Sequence, residues 1–206
     1  MFEQELIEHC SPTLASIKAA SLFTYTYKSL KELHVRVTYW NSKMKRKGIT
    51  FDILSENVGV NKALIYVYRR ADLEKILNRD QIRSFLLNHG YLIDDNEIVG
   101  GVNCENIILQ LKKKFEKLNQ FPHEIGIFLG YPLCDVKGFI HSPHEGIKLC
   151  GYWKVYSDEA VTAKKFDRFR KCSECICRRM EQGESLAKIF KTGQTGNIPQ
   201  GYRRLT

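Results

Sequence analysis

The 206 residues, 43% hydrophobic and 27% charged, suffice for one sizeable core. No apolar run approaches the roughly 18 residues that cross a bilayer, and the opening MFEQELIEHC lacks the basic-then-apolar pattern of a secretory leader, so the sequence reads as cytoplasmic with no membrane partner. The formal charge of +9 and a pI near 9.2 favour anionic partners, small molecules or nucleic acid, although a solvated basic surface accounts for the charge as readily.

Near the start, Cys10 or Ser11 reads as the cap of a short helix opened by Pro12. Over 27–47, Leu30, Leu33, His34, Val37, Trp40 and Met44 recur at helical spacing. The basic end of that segment suits a helix dipole, and Gly48 suits a C-terminal cap. Short β-prone runs at 49–54 and 63–68 predict strands, and helical patterns follow at 71–78, 80–88 and 104–118. The stretch FPHEIGIFLGYPLCDVKGFI, 121–140, holds the most unusual chemistry. Its centre, 125–129, is apolar at nearly every position and predicts a central strand buried on both faces; Gly130 turns the chain and Pro132 opens a helix with the stripe Leu133, Val136, Phe139 and Ile140. At about 3.3 Å per residue, such a strand sets His123 and Glu124 roughly 20 Å from Tyr131 and Asp135, giving two candidate sites at opposite edges of the sheet. GIKLCGYWKVY, 146–156, predicts a further strand, and Asp158 the N-cap of a long helix reaching about Glu181. Within that helix Phe166, Phe169, Ile176 and Met180 should face inward, with Cys177 on the stripe, Cys172 on its flank and Cys175 opposite, the most accessible of the three. The alternation of strands and helices predicts an α/β or α+β fold, a layered sandwich with a mixed central sheet flanked by helices. One domain should span 1–188, followed by a flexible basic tail at 189–206.

Four blocks, HCSPTLASIKAASLF, FPHEIGIFLGYPLCDVKGFI, GYWKVY and AKKFDRFRKC, resemble in order and spacing a bacterial family of unknown function, domain of unknown function 3793, over nearly the whole chain up to about Leu186. The resemblance implies a bacterial, cytosolic protein. It brings no activity, cofactor or catalytic residue with it.

Three constellations carry chemistry. In the first, Cys10 sits at the positive end of the expected short helix, where a thiol pKa falls. His123 would be its general base, with His9, Lys18 or Glu124 orienting the pair, which describes a cysteine-dependent enzyme of unidentified substrate. The plainer reading has Cys10 as a small buried residue and His123 as a lock on the Pro122 loop. In the second, Cys172 and Cys175 lie about a helical turn apart and would hold a metal or haem with help from His9, Cys10, His141 or His144; against this stands a simple division into core and surface cysteines. The seven cysteines, an odd number, read as free thiols. In the third, Tyr131 and Asp135, faced by Lys154 and Tyr156, form a seat for an anionic small molecule or cofactor, or a stacking surface for nucleobases. Asp135 is equally a first-turn acid meeting its helix dipole, and the aromatics ordinary strand formers. The sequence specifies no particular cofactor.

Overall fold

Strands β1 (Ala20–Thr26), β2 (Ile49–Asn57) and β3 (Lys62–Arg69) build a sheet of order β1-β3-β2 in the computed structural model, which describes residues 2–93, 101–117 and 121–191. Both pairings are antiparallel, so this sheet is not mixed as expected. β1 and β2 run the same way but lie on either side of β3, and α2 (Leu30–Met44) carries the chain from one edge to the other. The strand alternation splits β3 cleanly: Ala63, Ile65 and Val67 enter one hydrophobic cluster, while Leu64, Tyr66 and Tyr68 pack against another. A bulge between Ile53 and Ser55 in β2 lets Leu54 join the second cluster.

The first face is covered by α1 (Phe2–Leu14), α2, the second half of α8 (Glu159–Glu181) and α9 (Leu186–Lys191). The second carries α3 (Arg70–Leu77), α4 (Asp80–Asn88), α5 (Cys104–Lys117), α6 (Ile125–Phe128) and α7 (Leu133–His141). Helices on both faces of an antiparallel sheet make the protein α+β. A two-stranded hairpin, β4 (Leu149–Cys150) and β5 (Lys154–Val155), stands beside these layers. No helix among the described residues is long and apolar enough to cross a membrane.

Five local expectations are corrected. Residues 125–128 are one helical turn rather than a central strand, although Ile125, Ile127, Phe128 and Leu129 are all buried as foreseen. The turn ends in a Schellman cap: Gly130 at φ +78° donates to the Ile127 carbonyl at 3.0 Å, and Tyr131 N–H to that of Gly126 at 2.9 Å. The Tyr66 hydroxyl then satisfies the free Phe128 carbonyl at 2.7 Å. Residues 146–156 form a tight hairpin instead of one strand. Pro12 lies inside α1 instead of opening a helix, because Phe2, Leu6, Cys10 and Leu14 already make a buried stripe at every fourth position. In α8, capped by Asp158 as expected with its side chain accepting from Val161 N–H, Cys177 is the exposed thiol and Cys175 is half-buried. The buried face of α8 runs through Phe169, Cys172 and Ile176 and packs against α1. Finally, α9 crosses the expected start of the tail, and Ile189 and Phe190 are buried in the first cluster; residues 192–206 of that tail lie outside the described residues.

Candidate functional site

A helical residue advances about 1.5 Å, less than half the rise of a strand residue, so the ends of the 121–140 motif meet instead of standing apart. His123, Tyr131, Asp135, Phe139, Trp153 and Lys154 line one cleft of about 490 Å³. His123 thus shares a cleft with Tyr131 and Asp135, which were expected at the opposite sheet edge, while Glu124 does not line it.

One wall of the cleft is α6 and α7. A Cβ on Gly126 would stand 2.7 Å from Val136 Cγ2 and 3.2 Å from Tyr131 Cδ2, so glycine is what lets α6 lie against α7 here. The other wall is the β4–β5 hairpin, whose turn presents Tyr152 and Trp153. It is seated on the first half of α8: the Trp153 ring meets Phe166 edge-on at 4.6 Å, and Tyr152 meets Phe169 at 5.2 Å. Across the cleft, Tyr131 stacks on Trp153 with centroids 4.5 Å apart, and His123 stands edge-on to Phe139 at 5.1 Å. The Lys154 amine lies 5.5 Å from the Phe139 ring centre and donates to the Pro143 carbonyl at 2.8 Å.

Asp135 joins the two walls. Its Oδ2 accepts from Trp153 Nε1 at 2.8 Å, and its Oδ1 from the backbone N–H groups of Tyr156 at 2.9 Å and Ser157 at 2.8 Å. Burial pushes the carboxyl pKa up, but these hydrogen bonds outweigh it and hold the group below the ordinary carboxylate value. Asp135 is thus a fixed acceptor rather than a base awaiting a proton. Tyr156 supports it from behind, its hydroxyl donating to the Ser142 carbonyl at 3.0 Å.

The cysteine constellation is not brought together. Cys10 is fully buried in the first-face cluster, and burial pushes its thiol pKa well up, the opposite of nucleophile activation. His123 is exposed on the cleft, and no hydrogen bond or ring contact joins the two among the described residues. His9 is exposed and pairs with Glu5 at 3.3 Å. Glu124 is buried, accepting from Lys114 at 2.8 Å and the Tyr91 hydroxyl at 3.3 Å. Lys18 alone touches both neighbourhoods: its charge is felt by Cys10, and its amine lies 5.6 Å and 5.9 Å from the ring centres of Tyr131 and Tyr152. Cys172 is buried with its thiol 3.8 Å from the Ser11 carbonyl, and burial lifts its pKa to about 12. Among the described residues, the ligand atoms that gather within 4.8 Å of one another are those of Glu5, Glu8 and His9, on the surface of α1, and not those of Cys172 and Cys175.

Sequence reasoning did not assign Phe121, Gly126 or Phe139 to a site, nor Phe166 to a wall's support. The legible signal was glycine set among rings, in HEIGIF and CGYWK: a Cβ on Gly151 would stand 2.4 Å from the Phe166 ring, as close an approach as at Gly126. All four blocks of the family resemblance meet here, through Lys18, His123 to Phe139, Tyr152 to Lys154, and Phe166. No curated protein and no solved structure matches the chain. The family described as "Protein of unknown function (DUF3793)" matches residues 6–190, and the chain belongs to that family.

Proposed function

We propose that this is a binding protein whose cleft takes a flat, anionic small molecule: a ring compound bearing a carboxylate or phosphate. The observation that supports the reading is that the stacked Tyr131–Trp153 pair and the rings of His123 and Phe139 line one cleft, with Lys154 in its wall. Stacking surfaces favour a planar ring, and the amine favours the charge the ring carries. The chain's +9 charge would draw such a ligand in from solution. A cysteine-dependent enzyme is the weaker reading, because Cys10 is sealed from solvent on the other face and its thiol is held protonated. A cytoplasmic setting suits both a chain of free thiols and a soluble ring ligand.

The test is titration calorimetry with flavin mononucleotide, adenosine monophosphate, pyridoxine 5′-phosphate, a naphthoate and a short single-stranded RNA. At least one small ring anion should bind, more weakly at high salt, and Tyr131→Ala and Lys154→Ala should each weaken it about tenfold or more. Binding unaffected by both substitutions would remove the cleft from consideration. Binding confined to the RNA would replace the small-molecule reading with a nucleic-acid one.

A further inference from the structure

On the first face, away from the cleft, α1 and β1 bury a polar group that ligand binding does not use. Cys10, Ser11, Thr13 and Ser21 are fully or almost fully buried there, and the hydroxyls of Thr13 and Ser21 are 2.9 Å apart. Lys18 sits at its edge. The segment that carries it folds back on α1: Ser16 takes φ +67°, and the N–H groups of Ile17 and Lys18 both donate to the Pro12 carbonyl, at 2.9 Å and 3.2 Å. Its backbone is therefore pinned, unlike that of a loop lysine. Among the described residues no carboxylate pairs with its amine; its neighbours are the Cys10 thiol and the rings of Tyr131 and Tyr152, both of which line the cleft.

We infer that Lys18 is a nucleophilic amine which condenses with a carbonyl-bearing member of the cleft's ligand class, an aldehyde or ketone on an anionic ring compound. The inference rests on the cleft reading for its ligand. The ring faces of Tyr131 and Tyr152 attract a cation, but burial of the amine outweighs them and pulls the Lys18 pKa down from 10.5 to about 8. Near neutral pH the amine is then uncharged far more often than that of an ordinary exposed lysine. In the reaction, the nitrogen lone pair forms a bond to the carbonyl carbon as the C–O π bond breaks, giving a carbinolamine. Water then leaves, taking the former carbonyl oxygen and the two protons that the amine supplied, and a C=N bond remains. No electrons are gained or lost, so no oxidant or reductant is needed.

Pyridoxal 5′-phosphate, a flat anionic aldehyde, is the probe, used below one equivalent and trapped with borohydride before peptide mapping by mass spectrometry. Lys18 should carry the label at least about tenfold more than any other lysine. Lys18→Met and Lys18→Arg should abolish that label, while binding of pyridoxine 5′-phosphate, the non-condensing alcohol, persists in both. Two variants guard against one of them misfolding. If pyridoxine 5′-phosphate binds wild-type protein but the aldehyde labels lysines in proportion to their exposure, the imine inference is overturned and the cleft stands. If neither compound binds and Lys18 stays unlabelled, both fall together.

Discussion

At the scale of single residues, Asp135 shows how a site's geometry and a protein's stability come to depend on the same atom. Its carboxylate receives three donors from the opposite wall, two of them backbone N–H groups that an apolar replacement would leave without a partner. Asp135→Asn keeps one oxygen for the two backbone donors but loses the charge and sets an NH2 group, which cannot accept, against the Trp153 N–H, and should cost about 2–4 kcal/mol in denaturant unfolding. Because the folded carboxyl lies below its ordinary value, its contribution is complete above the unfolded pKa and is lost as pH falls through the folded one. The gap between wild type and Asp135→Asn should therefore be constant from about pH 6 to 7 and narrow in acid below about pH 4. A gap independent of pH would mean that the carboxylate's charge contributes nothing. The sequence did foreshadow Tyr131, Asp135 and Lys154 as neighbours, because short-range pattern placed the first two at a helix start and the third beside aromatic residues. It misplaced His123 and Cys10, because the partners of a histidine or a thiol depend on how distant segments pack. The fourfold-spaced stripe Phe2, Leu6 and Cys10 was the available sign that this thiol belongs to a core.

At the scale of elements, the one-turn helix α6 decides the site. Gly126→Ala would bring a methyl group to 2.7 Å from Cγ2 of the buried Val136 and 3.2 Å from Tyr131 Cδ2, so a neighbour must move. The variant should lose about 1–3 kcal/mol of stability, and its remaining folded fraction should bind the cleft ligand more weakly, as read by calorimetry. Wild-type affinity would show that α6 can shift without moving the wall. Most elements were legible beforehand: the spacing from Leu30 to Met44, the β-prone runs of β2 and β3, and the Asp158 cap each act within a few residues. In 125–129 nearly every position is apolar, so neither a period of two nor one of 3.6 stands out, and long-range partners choose. Here they are the Tyr66 hydroxyl and the packing of α6 on α7. The clue to the helix was Gly130 followed by Pro132, the order of a helix stop.

At the scale of the molecule, the sheet separates two packing regions with different work. The first face is core throughout the described residues, while the second also forms the cleft. Ending the chain after Ser185 would strip Leu186, Ile189 and Phe190 from the first cluster and should cost about 3–6 kcal/mol in denaturant unfolding. The protein that remains folded should bind the cleft ligand as before, because α9 reaches none of the cleft's lining. A loss of affinity larger than the loss of folded protein would show that the two faces are coupled through α8. The same division has an optical consequence. The chain's two tryptophans fall in the two regions: Trp40, 2% exposed and stacked on Phe51, in the first, and Trp153, half-buried against Tyr131 with its indole N–H on a carboxylate, in the cleft. The protein thus carries two intrinsic fluorophores in unlike surroundings. Emission from Trp40 follows the integrity of one face, emission from Trp153 follows what enters the other, and a pair of single Trp→Phe variants resolves the two signals without any added label.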